Sequence, residues 1–149
     1  MSLSKSFIDS DFKFVVVGTY EERHLAYYNE LVSLIKEKGI IEKVEFKGHL
    51  VGKEKEIAYA ESSWTLLLSE SENFGNVVLE SLNQGTPVIA SMGTPWSILE
   101  KSGCGFHISN DPNIIASNID KIINFSSDEY SRYRQNAVKL IDNNFNITT

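Results

Sequence analysis

Short apolar runs alternate along this chain with segments of helical apolar spacing, and this alternation constrains the fold more than any other feature. Five runs read as strands: Phe12 to Val17, Val44 to Lys47, Trp64 to Leu68, Pro87 to Ser91 and Gly105 to Ser109. Helical patterns cover His24 to Lys38, Glu54 to Glu61, Gly75 to Gly85, Pro95 to Lys101, Pro112 to Asn124 and Asp128 to Asp142. The alternation predicts an α/β fold, a doubly wound parallel sheet with helices on both faces.

The segment from Ser69 to Glu80 joins the third apolar run to a helix. Free backbone N–H groups at a helix start, together with the helix dipole, favour a phosphate there, and Gly75 lets the backbone approach such a ligand closely. Two carboxylates flank this start, because Glu72 precedes it and Glu80 lies about one turn inside the helix. Carboxylates only accept hydrogen bonds when ionised, so Glu80 suits the hydroxyls of a ribose and Glu72 those of a second sugar.

Length and charge exclude several classes of protein. With 149 residues and 42% hydrophobic residues the chain is long enough for one domain with its own core, and a second domain does not fit. A net charge of -6 and scattered basic residues argue against a nucleic-acid partner. The sequence has no apolar run of about 18 residues and no signal-peptide pattern. The single cysteine, Cys104, excludes an internal disulfide and suits a cytoplasmic location.

The spacing of Glu72 and Glu80, with Phe74-Gly75 between them and Gln84 to Ser91 after them, resembles the nucleotide-sugar signature of retaining glycosyltransferases of the GT-B fold, family 4. The resemblance covers nearly the whole chain and implies the Rossmann-like C-terminal domain that binds the donor. The expected function is sugar transfer from a UDP-, GDP- or ADP-sugar in polysaccharide biosynthesis, without a metal or other cofactor.

The resemblance also assigns roles to individual residues. It implies a catalytic and sugar-orienting role for Glu72, with Asn73, Phe74 and Gly75 beside the sugar. The nucleotide is expected to contact Glu80, Asn76, Val77 and Val51, the last from a loop whose backbone borders the base.

The start of the chain departs from the family pattern. Such domains begin with a strand that carries glycine-arginine and lysine-glycine pairs, and no such strand is found here, while Ser2 to Asp11 looks like the tail of a helix. We therefore expect residues 1–149 to be one donor-binding domain, truncated at its N-terminal side and inactive alone. The glycan or lipid-linked acceptor would bind a further domain, and the complete enzyme could sit at the inner face of a membrane.

The absent strand would lie at the centre of the sheet, between Phe12–Val17 and Trp64–Ser69. Unpaired backbone groups inside a domain are costly, so either the two flanking strands pair directly or another segment fills the place between them. The candidates for filling it are Met1 to Asp11 and a second copy of the chain. We expect direct pairing, because Ser2 to Ser10 has poor strand patterning.

Three other functions remain open on the sequence alone. A GT-B sugar-nucleotide epimerase would share the fold and the ligand, and a non-catalytic module would bind the nucleotide without turnover. A response-regulator-like domain is disfavoured, because no paired aspartates follow the first strand. The three histidines have no spacing that suggests a metal site, and the oligomeric state is open.

Overall fold

The computed structural model describes residues 3–18, 25–68 and 76–144. Its strands are β1 (Phe14–Val17), β2 (Val44–Gly48), β3 (Thr65–Leu67), β4 (Val88–Ser91) and β5 (Gly105–Ile108). Its α-helices are α1 (Lys5–Asp9), α2 (Leu25–Glu37), α3 (Gly52–Glu61), α4 (Asn76–Asn83), α5 (Ile98–Lys101), α6 (Pro112–Ile123) and α7 (Ser127–Asn144), and a 3-10 turn, Ile41–Lys43, precedes β2. The predicted α/β alternation is confirmed, because each predicted strand is present at its place in the order.

The strands form two groups, and all pairs are parallel. β1 pairs with β2, with Phe14 opposite Val44. β4 is the middle strand of the other group and pairs with β3 on one side and β5 on the other. β2 lies at an edge, as its alternating sequence predicts, and three of its five residues are exposed.

Helices cover both faces of the sheet, as expected for a doubly wound fold. One face of β4 packs on α4 and α7, and its core consists of Val78, Leu82, Val88, Ala90, Trp96, Leu99, Cys104, Ala137, Leu140 and Ile141. The opposite face packs on α6 through Ile89, Phe106, Ile108 and Ile122. Val88, Ile89 and Ala90 are buried although they alternate between the two faces, which explains why this strand reads as a continuous apolar run.

Two helices start two or more positions away from their predicted starts. α5 begins at Ile98, not at Pro95, because Thr94 closes a turn in which both its N–H and its hydroxyl donate to the carbonyl oxygen of Ser91. α3 begins at Gly52, two positions before the predicted start at Glu54.

Helix α1 is the helical segment that the sequence predicts near the N-terminus, and it is tied to α6. The hydroxyl of Ser4 and the N–H of Ser6 donate to Oδ1 of Asp120, at 2.6 and 3.0 Å. These hydrogen bonds stabilise the carboxylate and hold the pKa of Asp120 below its ordinary value. Phe7 on the same helix is 1% exposed, so α1 is an integral part of the core.

The predicted direct pairing of the two strands that flank the absent one is wrong. Among the described residues β1 and β3 belong to separate groups, and Ser2 to Ser10 does not fill the place between them, because its described part forms α1. A cavity of about 1000 Å³ lies there instead, lined by residues of β1, β3, α3, α4 and α6. We attribute the separation to the packing of α1 on α6 and of α3 on α4, which spans the gap on each face. We call this cavity the slot.

Candidate functional site

The candidate site lies at the carboxyl edge of the sheet, where ligands bind in open α/β folds. α3 follows β2 and α4 follows β3, and Lys55 in α3 contacts Glu80 in α4. The carboxyl ends of β2 and β3 therefore lie at the same edge. β1 is parallel to β2 and ends there too.

Glu80 is held by two side chains of α3. The ammonium group of Lys55 lies 3.0 Å from Oε1 of Glu80. The hydroxyl of Tyr59 donates to Oε2 at 3.2 Å. The side chains of Lys55 and Glu80 are 38% and 36% exposed, so the ion pair is within reach of a ligand from solvent.

The two contacts hold the side chain of Glu80 in one orientation. The pKa of Tyr59 is raised to about 12. Burial is the largest cause, followed by the negative charge of Glu80 and the hydrogen bond to Glu80. Tyr59 therefore remains a donor at neutral pH, and Lys55 supplies a positive charge beside the carboxylate. Each carboxylate oxygen has a second lone pair, so Glu80 can still accept hydrogen bonds from two hydroxyls of a ligand.

Lys55 and Tyr59 were not singled out from the sequence. The sequence does indicate that Lys55 and Tyr59 share one helix face, because they are four residues apart on α3. The spacing alone does not reveal that this face meets α4, because that contact depends on how the two helices pack.

The other predicted nucleotide contacts lie around the same edge. Asn76 is the first residue of α4, and Val77 lines the slot together with Glu80. Val51 precedes α3 and is 59% exposed, while its neighbours His49 and Leu50 line the slot. The carboxyl end of the slot therefore opens at Glu80.

The predicted sugar-binding and catalytic residues precede α4 in the sequence. Glu72, Asn73, Phe74 and Gly75 lie outside the described residues. Their roles stay predictions.

Gly93 to Pro95 follows β4 at the same edge, where the sequence allows either a turn or a ligand contact. Thr94 is only 4% exposed, and its backbone oxygen lies 2.9 Å from Nε2 of His107. Both the side chain and the backbone of Thr94 are thus engaged within the protein, which favours the structural role.

Within residues 3–18, 25–68 and 76–144, no cluster of three or more His, Cys, Asp or Glu side chains has the arrangement of a metal site. None of the helices that the structure describes is long and apolar enough to cross a bilayer.

Replacing Tyr59 with phenylalanine tests the raised pKa. The folded state holds the Tyr59 proton more tightly than the unfolded chain does. The protonated hydroxyl therefore contributes its full stabilisation below pH 10, and this stabilisation is lost as the pH rises from about 10 to about 12. We expect Tyr59→Phe to flatten the fall in the free energy of unfolding across this interval, measured by urea denaturation at several pH values. Tyr27→Phe on exposed α2 is the control, and an equal flattening in that variant would contradict the assignment.

Comparison with known proteins gives a family and a fold. Residues 1–140 match the family model for glycosyl transferases group 1. No curated protein matches the chain.

Solved structures share the fold at low sequence identity. Sucrose-phosphate synthase from Thermosynechococcus elongatus is 21% identical, with a TM-score of 0.83 over 97% of this chain and 37% of that one. HepE from Anabaena, solved in complex with UDP, is 21% identical, with a TM-score of 0.78 over 91% of this chain and 37% of that one. The C-terminal domain of LpcC from Francisella tularensis is 24% identical, with a TM-score of 0.79 over 93% of this chain and 72% of that one.

These likenesses identify the fold as that of the C-terminal domain of GT-B glycosyltransferases. The chain spans 37% of the length of both HepE and sucrose-phosphate synthase.

Proposed function

The chain belongs to the glycosyl transferases group 1 family, and on this premise we propose that it is the donor-binding half of a retaining glycosyltransferase. The complete enzyme would transfer a sugar from a UDP-, GDP- or ADP-sugar to a glycan or lipid-linked acceptor, and the acceptor would bind a further domain.

The observation that carries this proposal is the fixed carboxylate of Glu80. Lys55 and Tyr59 hold it at 3.0 and 3.2 Å in the second turn of α4, at the sheet edge where open α/β folds bind ligands. A carboxylate with free lone pairs is complementary to the two adjacent hydroxyls of a ribose. HepE, which has the same fold, has been solved with UDP and with UDP-glucose, and this supports a nucleotide-sugar ligand.

The start of α4 would stabilise the leaving group, the nucleoside diphosphate. Transfer breaks the bond between the anomeric carbon and a phosphate oxygen, so negative charge grows on the departing nucleoside diphosphate. Backbone N–H groups from Asn76 and Val77 onward, with the helix dipole, would stabilise that charge without a metal ion. Glu72 would orient the sugar through its hydroxyls.

A ligand panel tests the proposal. UDP, GDP, ADP and their glucose conjugates would be added to the purified chain, with binding followed by ligand-detected NMR and by the shift in unfolding temperature. We expect one nucleoside diphosphate to bind more tightly than the other two. Absence of binding by all six ligands would contradict a donor site in this chain.

Glu72→Ala should separate sugar binding from nucleotide binding. Because Glu72 is proposed to contact only the sugar, the variant should lose affinity for the nucleotide sugar, by about tenfold for one charge-assisted hydrogen-bond pair, and keep its affinity for the nucleoside diphosphate. Isothermal titration with both ligands measures the difference, with Glu70→Ala as the neighbouring control. Equal losses for the two ligands would rule out the division of roles.

A further inference from the structure

Tyr59 is fixed at both its hydroxyl group and its backbone. Its hydroxyl donates to Oε2 of Glu80 at 3.2 Å, and its backbone oxygen accepts from the hydroxyl of Thr86 at 2.7 Å. Thr86 is in turn joined to Ser81, the residue after Glu80. The Ser81 hydroxyl donates to the backbone oxygen of Thr86 at 2.9 Å, and the N–H of Thr86 donates to the backbone oxygen of Ser81 at 3.0 Å. Because Ser81 and Thr86 are buried, this closed ring of contacts sets the position of Tyr59 relative to Glu80.

The two donors from α3 contact different oxygens of Glu80. Lys55 lies 3.0 Å from Oε1, and Tyr59 donates to Oε2. A carboxylate that is held through both oxygens cannot rotate about its last bond without losing one of the contacts. The two oxygens therefore have fixed positions before a ligand arrives, and each keeps a lone pair for it.

A fixed carboxylate favours a ligand with two adjacent hydroxyls over a ligand with one. A single hydroxyl can be accepted in many orientations of the carboxylate, whereas two adjacent hydroxyls require one orientation. A mobile glutamate must lose its rotamer freedom to meet that requirement. This loss corresponds to roughly a two- to tenfold reduction in affinity. Freeing Glu80 would therefore weaken the binding of a ribose more than that of a 2′-deoxyribose.

We propose that Lys55 and Tyr59 are positioning residues that make this site select a ribonucleoside diphosphate over its 2′-deoxy form. The inference rests on the proposed function and adds the sugar of the nucleotide as a determinant of specificity. A ribose supplies a hydroxyl to each oxygen of Glu80, whereas a 2′-deoxyribose leaves one oxygen without a ligand partner. Both residues act through Glu80 and need not contact the nucleotide themselves.

Isothermal titration tests the proposal with UDP, GDP, ADP and the 2′-deoxy form of each. The readout is the ratio of the dissociation constants of the deoxy and ribo forms of the base that binds. We expect this ratio to be about tenfold or more in the unaltered chain, since one hydrogen bond to a carboxylate is lost. Tyr59→Phe and Lys55→Met should each lower the ratio by about threefold. A general loss of stability, or of positive charge near the diphosphate, would weaken both forms equally and leave the ratio unchanged.

Lys53→Met is the control for Lys55→Met, because it removes the same charge from an exposed position of α3. Tyr27→Phe is the control for Tyr59→Phe, because Tyr27 is exposed on α2. Both controls should keep the ratio of the unaltered chain. The two test variants act on opposite oxygens of Glu80, so either one that folds tests the proposal.

The outcomes separate this inference from the proposed function. An unchanged ratio in a folded variant would overturn the positioning role of the substituted residue, and a ratio near one in the unaltered chain would overturn the selection of ribose. In both cases the nucleotide still binds, so the donor site stands. Absence of binding by all the nucleotides would overturn the proposed function and this inference with it.

Discussion

Replacing Gly105 with alanine should destabilise the protein by about 3 kcal/mol or more, because the added methyl group has no room. A Cβ at this position would lie 1.9 Å from the backbone oxygen of Val88 and 3.3 Å from Cβ of Leu99. The first neighbour is part of the hydrogen-bonded register between β4 and β5, so relief requires the two strands to separate. For a chain of this size the loss corresponds to about 10 °C in the unfolding temperature, which calorimetry or circular dichroism would measure.

Gly39→Ala is the matched control. A Cβ there has nothing within 4 Å, and the only penalty comes from the φ of 70°. That conformation costs an alanine about 1 kcal/mol. Equal destabilisation by the two substitutions would show that the close contact between Gly105 and Val88 is relieved without loss of pairing.

Glu80→Gln should weaken the binding of the nucleoside diphosphate by roughly 10- to 100-fold. The substitution keeps the size of the side chain and removes its charge, so hydrogen bonds worth about 1.5–3 kcal/mol become neutral ones. The measurement is titration of the nucleotide selected by the ligand panel. Unchanged affinity would exclude Glu80 from the nucleotide site.

The control for Glu80→Gln is Glu56→Gln, which removes one carboxylate charge from an exposed position of α3. It should leave the affinity within about twofold, since exposed charges act weakly through water. Lys55 loses its ionic partner in the Glu80 variant, so thermal unfolding of both variants would show whether reduced affinity follows from reduced stability.

The sequence predicts most of the fold because its patterns are local. The continuous apolar run of β4 and the alternation in β2 distinguish a central strand from an edge strand through the order of residue types alone. The start of α5 is predicted incorrectly because Pro95 is compatible with a helix start. The turn closed by Thr94 depends instead on the position of the Ser91 carbonyl group.

Long-range packing limits what the sequence reveals about the site. Glu80 is recognised through its spacing from Glu72, but the contacts of Lys55 and Tyr59 with it join residues 25 and 21 positions apart on two helices. The slot is where the sequence-based prediction is most clearly wrong, because direct pairing of β1 and β3 was expected there. The cost of unpaired strand edges predicts closure, yet in the described residues β1 and β3 belong to separate groups.

The docking of α1 on α6 has a consequence for the order of folding. The hydrogen bond between Ser4 and Asp120 joins residues 116 positions apart, whereas β4 and β5 are joined through α5 alone. Closing the longer loop costs more entropy and comes late. During translation α1 leaves the ribosome before α6, so the packing of α1 on α6 can form only after α6 has been synthesised. Until then Phe7, which is 1% exposed in the folded protein, lacks the helix on which α1 packs.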